Sequence, residues 1–151
     1  MGKIFISYRR EEDEFYAHTL YRELLETFDK EDVFMDVDNI PIGHDFVKVL
    51  NDALAQSDIM LVVIGRRWLK TKRGGKRRIN DPEDFVRMEI EAALQRNIHV
   101  IPVIQREGTL PAPEDLPESL KPLARRQAAI VSPANSSEDI VVLVEAVKSL
   151  L

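Results

Sequence analysis

The chain has 151 residues, a net charge of −5 and a sequence pI of about 5.3. These values suit one acidic domain with its own core and give no support to a nucleic acid or an anionic membrane as partner. The absence of cysteine excludes disulfides, thiolate nucleophiles and cysteine metal sites, and it fits a cytoplasmic protein, which we expect. We treat residues 1–151 as a single domain, whether complete or cut from a longer protein.

The first half of the chain alternates short apolar runs with helical spacing. In chain order, it predicts a strand over 3–8, a helix over 11–28, a strand over 32–36, a loop over 37–45, a helix over 46–54 and a strand over 58–65. The last of these runs, DIMLVVIG, is apolar at nearly every position, which is typical of a central strand covered on both faces.

The second half continues the alternation. It predicts an irregular basic stretch over 66–80, a helix within 80–97, a strand over 98–104, a Pro-rich loop over 107–122, a strand over 128–131 and a helix over 138–150. Ser136 and Asp139 are spaced as a capping box for the last helix. Five strands alternating with helices predict an α/β fold, a parallel sheet covered by helices on both faces, with any site at the carboxyl ends of the strands.

Glu89 is an acid among apolar neighbours. At about 100° per residue, Arg87, Glu91 and Gln95 share one face of their helix, and Glu89 lies nearly opposite, beside Phe85. Burying an unpaired carboxylate is unfavourable, so Glu89 needs either a structural partner or a function in a cleft. Spacing alone leaves both open.

Other site types find little support. The sequence has neither GxGxxG nor GxxxxGK[ST], which argues against Rossmann and P-loop phosphate sites. Its three histidines lack metal-ligand spacing, so no metal site is predicted. The basic run over 70–78 could bind a phosphate or an acidic neighbouring subunit. The alternative is that it forms a solvated loop.

Three segments together resemble the TIR (Toll/interleukin-1 receptor) domain family, bacterial members above all. They are KIFISYRR (3–10), FMDVDNIPIGHDF (34–46), and SDIMLVVIG (57–65) followed by DFVRMEIEAAL (84–94). The resemblance covers essentially the whole chain. It implies a flavodoxin-like fold, with a five-stranded parallel sheet in the order 2-1-3-4-5 and helices on both faces.

The resemblance also implies a chemistry. Many TIR domains hydrolyse NAD+ with a glutamate on the helix before the fourth strand, which is Glu89 here. The nicotinamide of NAD+ leaves as a neutral base, so one carboxylate that stabilises the ribosyl oxocarbenium ion suffices and no cofactor is required. Phe85 stands where the family often has tryptophan, a departure that leaves open whether a linear or a cyclic product forms.

Further candidate substrate contacts lie near the first and second strands. Tyr8, Arg9 and Arg10 follow the first strand, where the arginines could bind pyrophosphate and Tyr8 could stack on a base. The alternative for this stretch is a solvated charged loop. The resemblance implies that Phe46 faces the substrate. Phe46 also fits the apolar stripe of its own helix.

The family's BB loop mediates self-association. In this sequence it comprises Asp38, Asn39, Ile40, Pro41, Ile42 and Gly43. The expected partners are therefore NAD+ and other TIR domains in a homo-oligomer or filament, without nucleic acid or membrane.

Two functions compete. One is an NAD+ nucleosidase that yields nicotinamide and ADP-ribose or a cyclic ADP-ribose isomer, activated by self-association, in antiphage or cell-death signalling. The alternative is a non-catalytic TIR–TIR scaffold, and a third possibility is a bacterial effector that subverts host TIR signalling. Glu89 favours the enzyme because a scaffold needs no acid there.

Overall fold

The computed structural model describes residues 2–35, 42–105 and 107–151. Its elements in chain order are β1 (Ile4–Ser7), α1 (Arg10–Leu24), β2 (Val33–Phe34), α2 (Phe46–Ala55), β3 (Ile59–Ile64), β4 (Lys72–Arg73), β5 (Lys76–Arg77), α3 (Phe85–Gln95), β6 (His99–Gln105), β7 (Ala129–Val131) and α4 (Ser136–Leu150). Short 3-10 helices lie at Lys30–Asp32, Arg78–Asn80, Pro113–Asp115, Glu118–Arg125 and Pro133–Asn135. None of the helices in these ranges is long and apolar enough to cross a bilayer.

The main sheet has five strands in the order β2-β1-β3-β6-β7, and every neighbouring pair is parallel. Numbered within this sheet alone, the order is 2-1-3-4-5, so the predicted fold and order are confirmed. The central strand β3 is buried along its whole length, which explains its continuous apolar sequence.

Strand alternation divides the interior into two cores. Phe5 packs with the apolar side chains of α2 and α3, whereas Ile4 and Ile6 pack with those of α1 and α4. Successive side chains of a strand point to opposite faces, so the position of a residue in β1 decides which pair of helices it meets.

The basic stretch over 66–80 contains a hairpin, and the prediction of irregular chain was wrong there. Strand β4 pairs antiparallel with β5, and the two residues between them, Gly74 and Gly75, have φ of +62° and +80°. A two-residue turn with positive φ at both positions matches the right-handed twist of a hairpin, and glycine adopts it without steric strain. Strands of two residues are too short to show a period in the sequence.

The start of α4 also differs from expectation. The Asp139 carboxylate accepts hydrogen bonds from the backbone N–H and the hydroxyl of Ser132, at 2.9 and 3.0 Å. Its observed partner is therefore Ser132, just beyond β7, and the capping box with Ser136 is not formed. This contact ties the carboxyl end of β7 to the first turn of α4.

Candidate functional site

Glu89 lies in the second turn of α3 and is only 9 % exposed. The Ser7 hydroxyl donates a hydrogen bond of 2.9 Å to its Oε1. Ser7 is the last residue of β1, so the carboxylate sits at the carboxyl edge of the sheet, on the face covered by α2 and α3. This is the edge at which doubly wound folds bind their ligands.

Two aromatic rings stand beside each other near this edge. Phe46 and Phe85 stack with ring centroids 4.2 Å apart and an interplanar angle of 25°. Each is the first residue of its helix and follows an aspartate, Asp45 or Asp84, whose side chain accepts a backbone N–H of the first turn. Aspartate is a preferred N-cap, so the repeated Asp-Phe pattern places both rings at helix starts. Phe85 is 48 % exposed and lies one turn before Glu89.

Beneath the aromatic pair is a buried ion pair. Arg9 Nη1 donates to Asp84 Oδ1 at 2.6 Å, and both side chains are 1 % exposed. The guanidinium lies 5.8 Å from the ring centroid of Trp68, within cation–π range. Its Nε and Nη2 atoms find no hydrogen-bond partner within the described residues. Arg9 thus connects the end of β1 to the N-cap of α3, below the surface.

Tyr8 and Arg10, which flank Arg9 in the chain, have different surroundings from Arg9. Tyr8 is buried in the core formed by α1 and α4, with its ring edge-on to His18 at 6.4 Å. It lies on the opposite face of the sheet from Glu89, so the structure does not bring it to the Phe46–Phe85 stack. Arg10 is exposed at the first position of α1.

The predicted self-association loop is described only in part. Residues 38–41 lie outside the described residues. Ile42 is fully exposed, and Gly43 has φ of +89°. An apolar side chain of this size in full contact with solvent is an unfavourable exposure that association could relieve.

Sequence reasoning missed two residues of this region, Ser7 and Asp84. The sequence around each of them contains a pattern that indicates its position. Ser7 is the polar residue of the strand IFIS and shares a face with Phe5 by period-two alternation. Asp84 directly precedes the periodic pattern of α3, where a capping residue belongs.

The cavities found among the described residues lie away from Glu89. Four cavities of about 110 to 410 Å³ lie elsewhere on the molecule, and Glu89 lines none of these four. Over the same described residues, no group of three or more His, Asp or Glu side chains could hold a metal ion.

A relative of known activity matches much of the chain. NAD(+) hydrolase sarm1 of Drosophila melanogaster is 33% identical over 124 residues, which is 80% of this chain and 8% of that protein. The chain thus spans a small part of this relative's length.

Solved TIR structures share the fold. The TIR domains of the activated Roq1 resistosome superpose with a TM-score of 0.68 at 14% identity, covering 97% of this chain and 99% of that one. The TIR domain of the Toll-related receptor TRR-2 from Hydra magnipapillata gives a TM-score of 0.60 at 15% identity, covering 99% and 98%. The profile of the TIR domain family matches residues 4–141. The chain belongs to the TIR domain family.

Proposed function

We propose that this TIR domain is an NAD+ nucleosidase, which cleaves the nicotinamide–ribose bond with Glu89 as the catalytic residue. The observation that carries the proposal is a buried carboxylate at the carboxyl edge of β1, hydrogen-bonded to Ser7 and one turn from an exposed aromatic ring. The similarity to an NAD(+) hydrolase supports it.

The proposed reaction requires only one carboxylate from the protein. The bond between ribose C1′ and the pyridinium nitrogen breaks, and its electron pair leaves with neutral nicotinamide. Positive charge grows on the ribose, and the Glu89 carboxylate stabilises it in a place where little water screens the interaction. A water oxygen then bonds to C1′ and releases a proton, which gives ADP-ribose. Capture by the adenine of the same molecule gives the cyclic isomer instead, and no cofactor takes part in either route.

The remaining candidate contacts divide by burial. In this proposal the stacked rings of Phe46 and Phe85 form an apolar surface for nicotinamide or ribose, and exposed Arg10 binds the pyrophosphate. Arg9, paired with Asp84, acts from below by holding the start of α3. Stacking of Tyr8 on a base would require its ring to leave the α1/α4 core, so we assign Tyr8 no contact in this conformation.

Self-association is the second part of the proposal. We infer that residues 38–43 dock on a neighbouring copy and complete the site around Glu89. The fully exposed Ile42 supports docking. We propose antiphage or cell-death signalling as the setting, because loss of NAD+ halts the metabolism of the cell that contains the enzyme.

The test compares wild type, Glu89→Gln and Glu91→Gln after incubation with NAD+, with nicotinamide and ribosyl products separated by chromatography. Glu91 is a matched control because it lies on the same helix but pairs with Arg87 and Ser119 on another side. We expect Glu89→Gln to lose at least about 100-fold in kcat/KM, the scale of removing one group that stabilises a transition-state charge. Glu91→Gln should stay within about threefold of wild type.

The same assay decides between enzyme and scaffold. Each protein is assayed dilute and clustered on beads. A folded wild type that leaves NAD+ intact in both states, while still associating with itself, would establish the non-catalytic scaffold. Equal activity of Glu89→Gln and wild type would remove Glu89 from the mechanism.

A further inference from the structure

One of the cavities lies on the face of the sheet opposite Glu89. A cavity of about 290 Å³ opens at the carboxyl ends of β6 and β7, between α1 and α4. Its lining includes Val131 and Ile140, which belong to the α1/α4 core. The volume lies at the lower end of the range for small-molecule pockets, about 300 to 1,000 Å³.

The last residue of β6, Gln105, gives this cavity its chemistry. Gln105 lines the cavity and is 4 % exposed. Throughout the described chain, its side-chain amide has no hydrogen-bond partner. A primary amide offers two donor hydrogens and a carbonyl acceptor, and on the cavity wall this amide is available to a bound molecule. A ligand that presents a donor next to an acceptor would satisfy both ends of the amide.

The other walls fit a flat ring with a polar end. Ile140 supplies an apolar floor, and the exposed ring of Phe15 stands at the mouth. On another side, where α4 begins, Ser136 provides a hydroxyl group. Ser132 Oγ donates to Asp139 and keeps the capacity to accept a hydrogen bond. Aromatic side chains stack on bases of any sequence, and hydroxyl groups pair with the hydroxyls of a sugar.

We propose that this cavity binds the purine base of a nucleoside or nucleotide, with the Gln105 amide paired to the edge of the base. Adenine presents an amino donor beside a ring nitrogen acceptor, and glutamine pairs with both at once. The ring lies on Ile140 against Phe15, and the ribose points to Ser132 and Ser136. The site is separate from the proposed NAD+ site, because the two lie on opposite faces of the sheet.

Adenosine is the probe for the test. Titration of ¹⁵N-labelled wild type should shift the side-chain amide resonance of Gln105, which is assigned by its loss from the spectrum of Gln105→Leu. Calorimetry should show adenosine binding weakened about 5- to 150-fold in Gln105→Leu, the range for one bidentate pair. Gln95→Leu is the matched control, because Gln95 is exposed at the end of α3, and it should bind adenosine as wild type does.

Purine riboside, which lacks the amino group of adenosine, gives a comparison on the wild type alone. It should bind less tightly than adenosine to wild type, and the two should bind alike to Gln105→Leu. The wild-type comparison decides the matter if Gln105→Leu fails to fold.

Three results would overturn the proposal: shifts confined to residues around Glu89, no shift at millimolar adenosine, or equal affinity of wild type and folded Gln105→Leu. The test measures binding on the face away from Glu89, so it stands whether or not NAD+ is cleaved.

Discussion

At the scale of single residues, Ser7 restricts where the Glu89 carboxylate can lie. Its hydroxyl is a donor to Oε1 at 2.9 Å, and hydrogen bonds to charged groups stabilise more than neutral ones. A carboxylate that must face a developing cation gains from being fixed before the reaction, because no reorganisation is then needed. Ser7 is therefore a positioning residue in the proposed mechanism.

We predict that Ser7→Ala lowers kcat/KM for NAD+ by about 10-fold and the free energy of unfolding by about 1.5–3 kcal/mol, the range for a hydrogen bond to a charged group. Ser7→Thr keeps the hydroxyl and should recover most of the activity. Steady-state kinetics and urea unfolding measure the two effects. A Ser7→Ala enzyme with full kcat/KM would show that Glu89 needs no such support.

Asp13 is a second buried acid, 3 % exposed in the first turns of α1. Burial raises its pKa from the ordinary 3.8 to about 6, and the charge of Glu12 adds to the rise. A hydrogen bond from the Gly65 backbone and the charge of Arg9 oppose it. A Cβ at Gly65 would lie 2.0 Å from Asp13 Oδ1, so a side chain there would have to displace this carboxylate.

The sign of the resulting pH dependence follows from the two protonation states. Between about pH 4 and 6 the folded chain keeps the Asp13 proton that the unfolded chain has lost, so stability falls as pH rises through this window. The full loss, reached above pH 6, is about 3 kcal/mol at most. Asp13→Asn removes this loss, and Asn keeps an oxygen for the Gly65 N–H.

We predict that Asp13→Asn is more stable than wild type by about 1–3 kcal/mol at pH 7, and that the difference disappears below pH 4. Urea unfolding across pH 3.5–8 measures it. Asp52→Asn, a change at an exposed position of α2, should show no such trend. A difference between Asp13→Asn and wild type that stays constant with pH would contradict the raised pKa.

At the scale of elements, two helices start on the same pattern but with different surroundings. Asp45 caps α2 at an exposed position, while Asp84 caps α3 and also holds the buried Arg9. Loss of a cap alone is worth about 1 kcal/mol. Removal of one member of a buried pair leaves an uncompensated charge and is worth about 3–5 kcal/mol.

We therefore predict that Asp84→Ala destabilises the protein by about 3–5 kcal/mol and Asp45→Ala by about 1 kcal/mol. Chemical denaturation of both variants gives the comparison. The double change of Asp84→Ala with Arg9→Met should be less destabilising than Asp84→Ala alone, because the charge goes with its partner. Similar losses for the two single variants would mean that the Arg9–Asp84 pair adds nothing to the cap.

The elements visible to periodicity were predictable from the sequence, and those fixed by contacts at a distance were not. The four α-helices repeat an apolar spacing, and the five strands of the main sheet lie within short apolar runs of the sequence. The β4–β5 hairpin depends on two glycines between very short strands. The Asp139 carboxylate accepts its hydrogen bonds from Ser132, which lies outside α4 just beyond β7, and the spacing within the helix does not reveal that partner.

The candidate site divides in the same way. Helical spacing was enough to put Glu89 on the buried side of α3. Alternation continued past the end of β1 also places Tyr8 with Ile4 and Ile6, and Arg9 with Phe5. Whether a buried arginine meets Asp84 or a ligand depends on the packing of α3 against β1, which no single stretch of sequence encodes.

At the scale of the whole molecule, each copy of the proposed enzyme contributes Glu89 to its own site and the loop over 38–43 to the site of a neighbouring copy. If assembly completes the site, activity per subunit must rise with concentration. Ile42 is the apolar side chain of the described part of that loop, and it is fully exposed.

We predict that nicotinamide release per subunit rises at least about 10-fold when the protein is concentrated until it associates, and that Ile42→Asp abolishes both the rise and the association, because a charge is disfavoured in an apolar contact. Val142→Asp introduces the same charge on an exposed face of α4 and should change neither. Light scattering and activity are measured on the same samples. Constant turnover per subunit from dilute monomer to assembly would rule out this coupling.

Trp68 is the single tryptophan of the chain. It is fully buried, with the Arg9 guanidinium 5.8 Å from its ring centroid. The molecule thus carries its own fluorophore beneath the candidate site, next to the group that links β1 to α3. Any event that draws Arg9 toward an incoming anion will change the surroundings of the indole, so its emission can report occupancy in an unlabelled sample, in real time and without turnover.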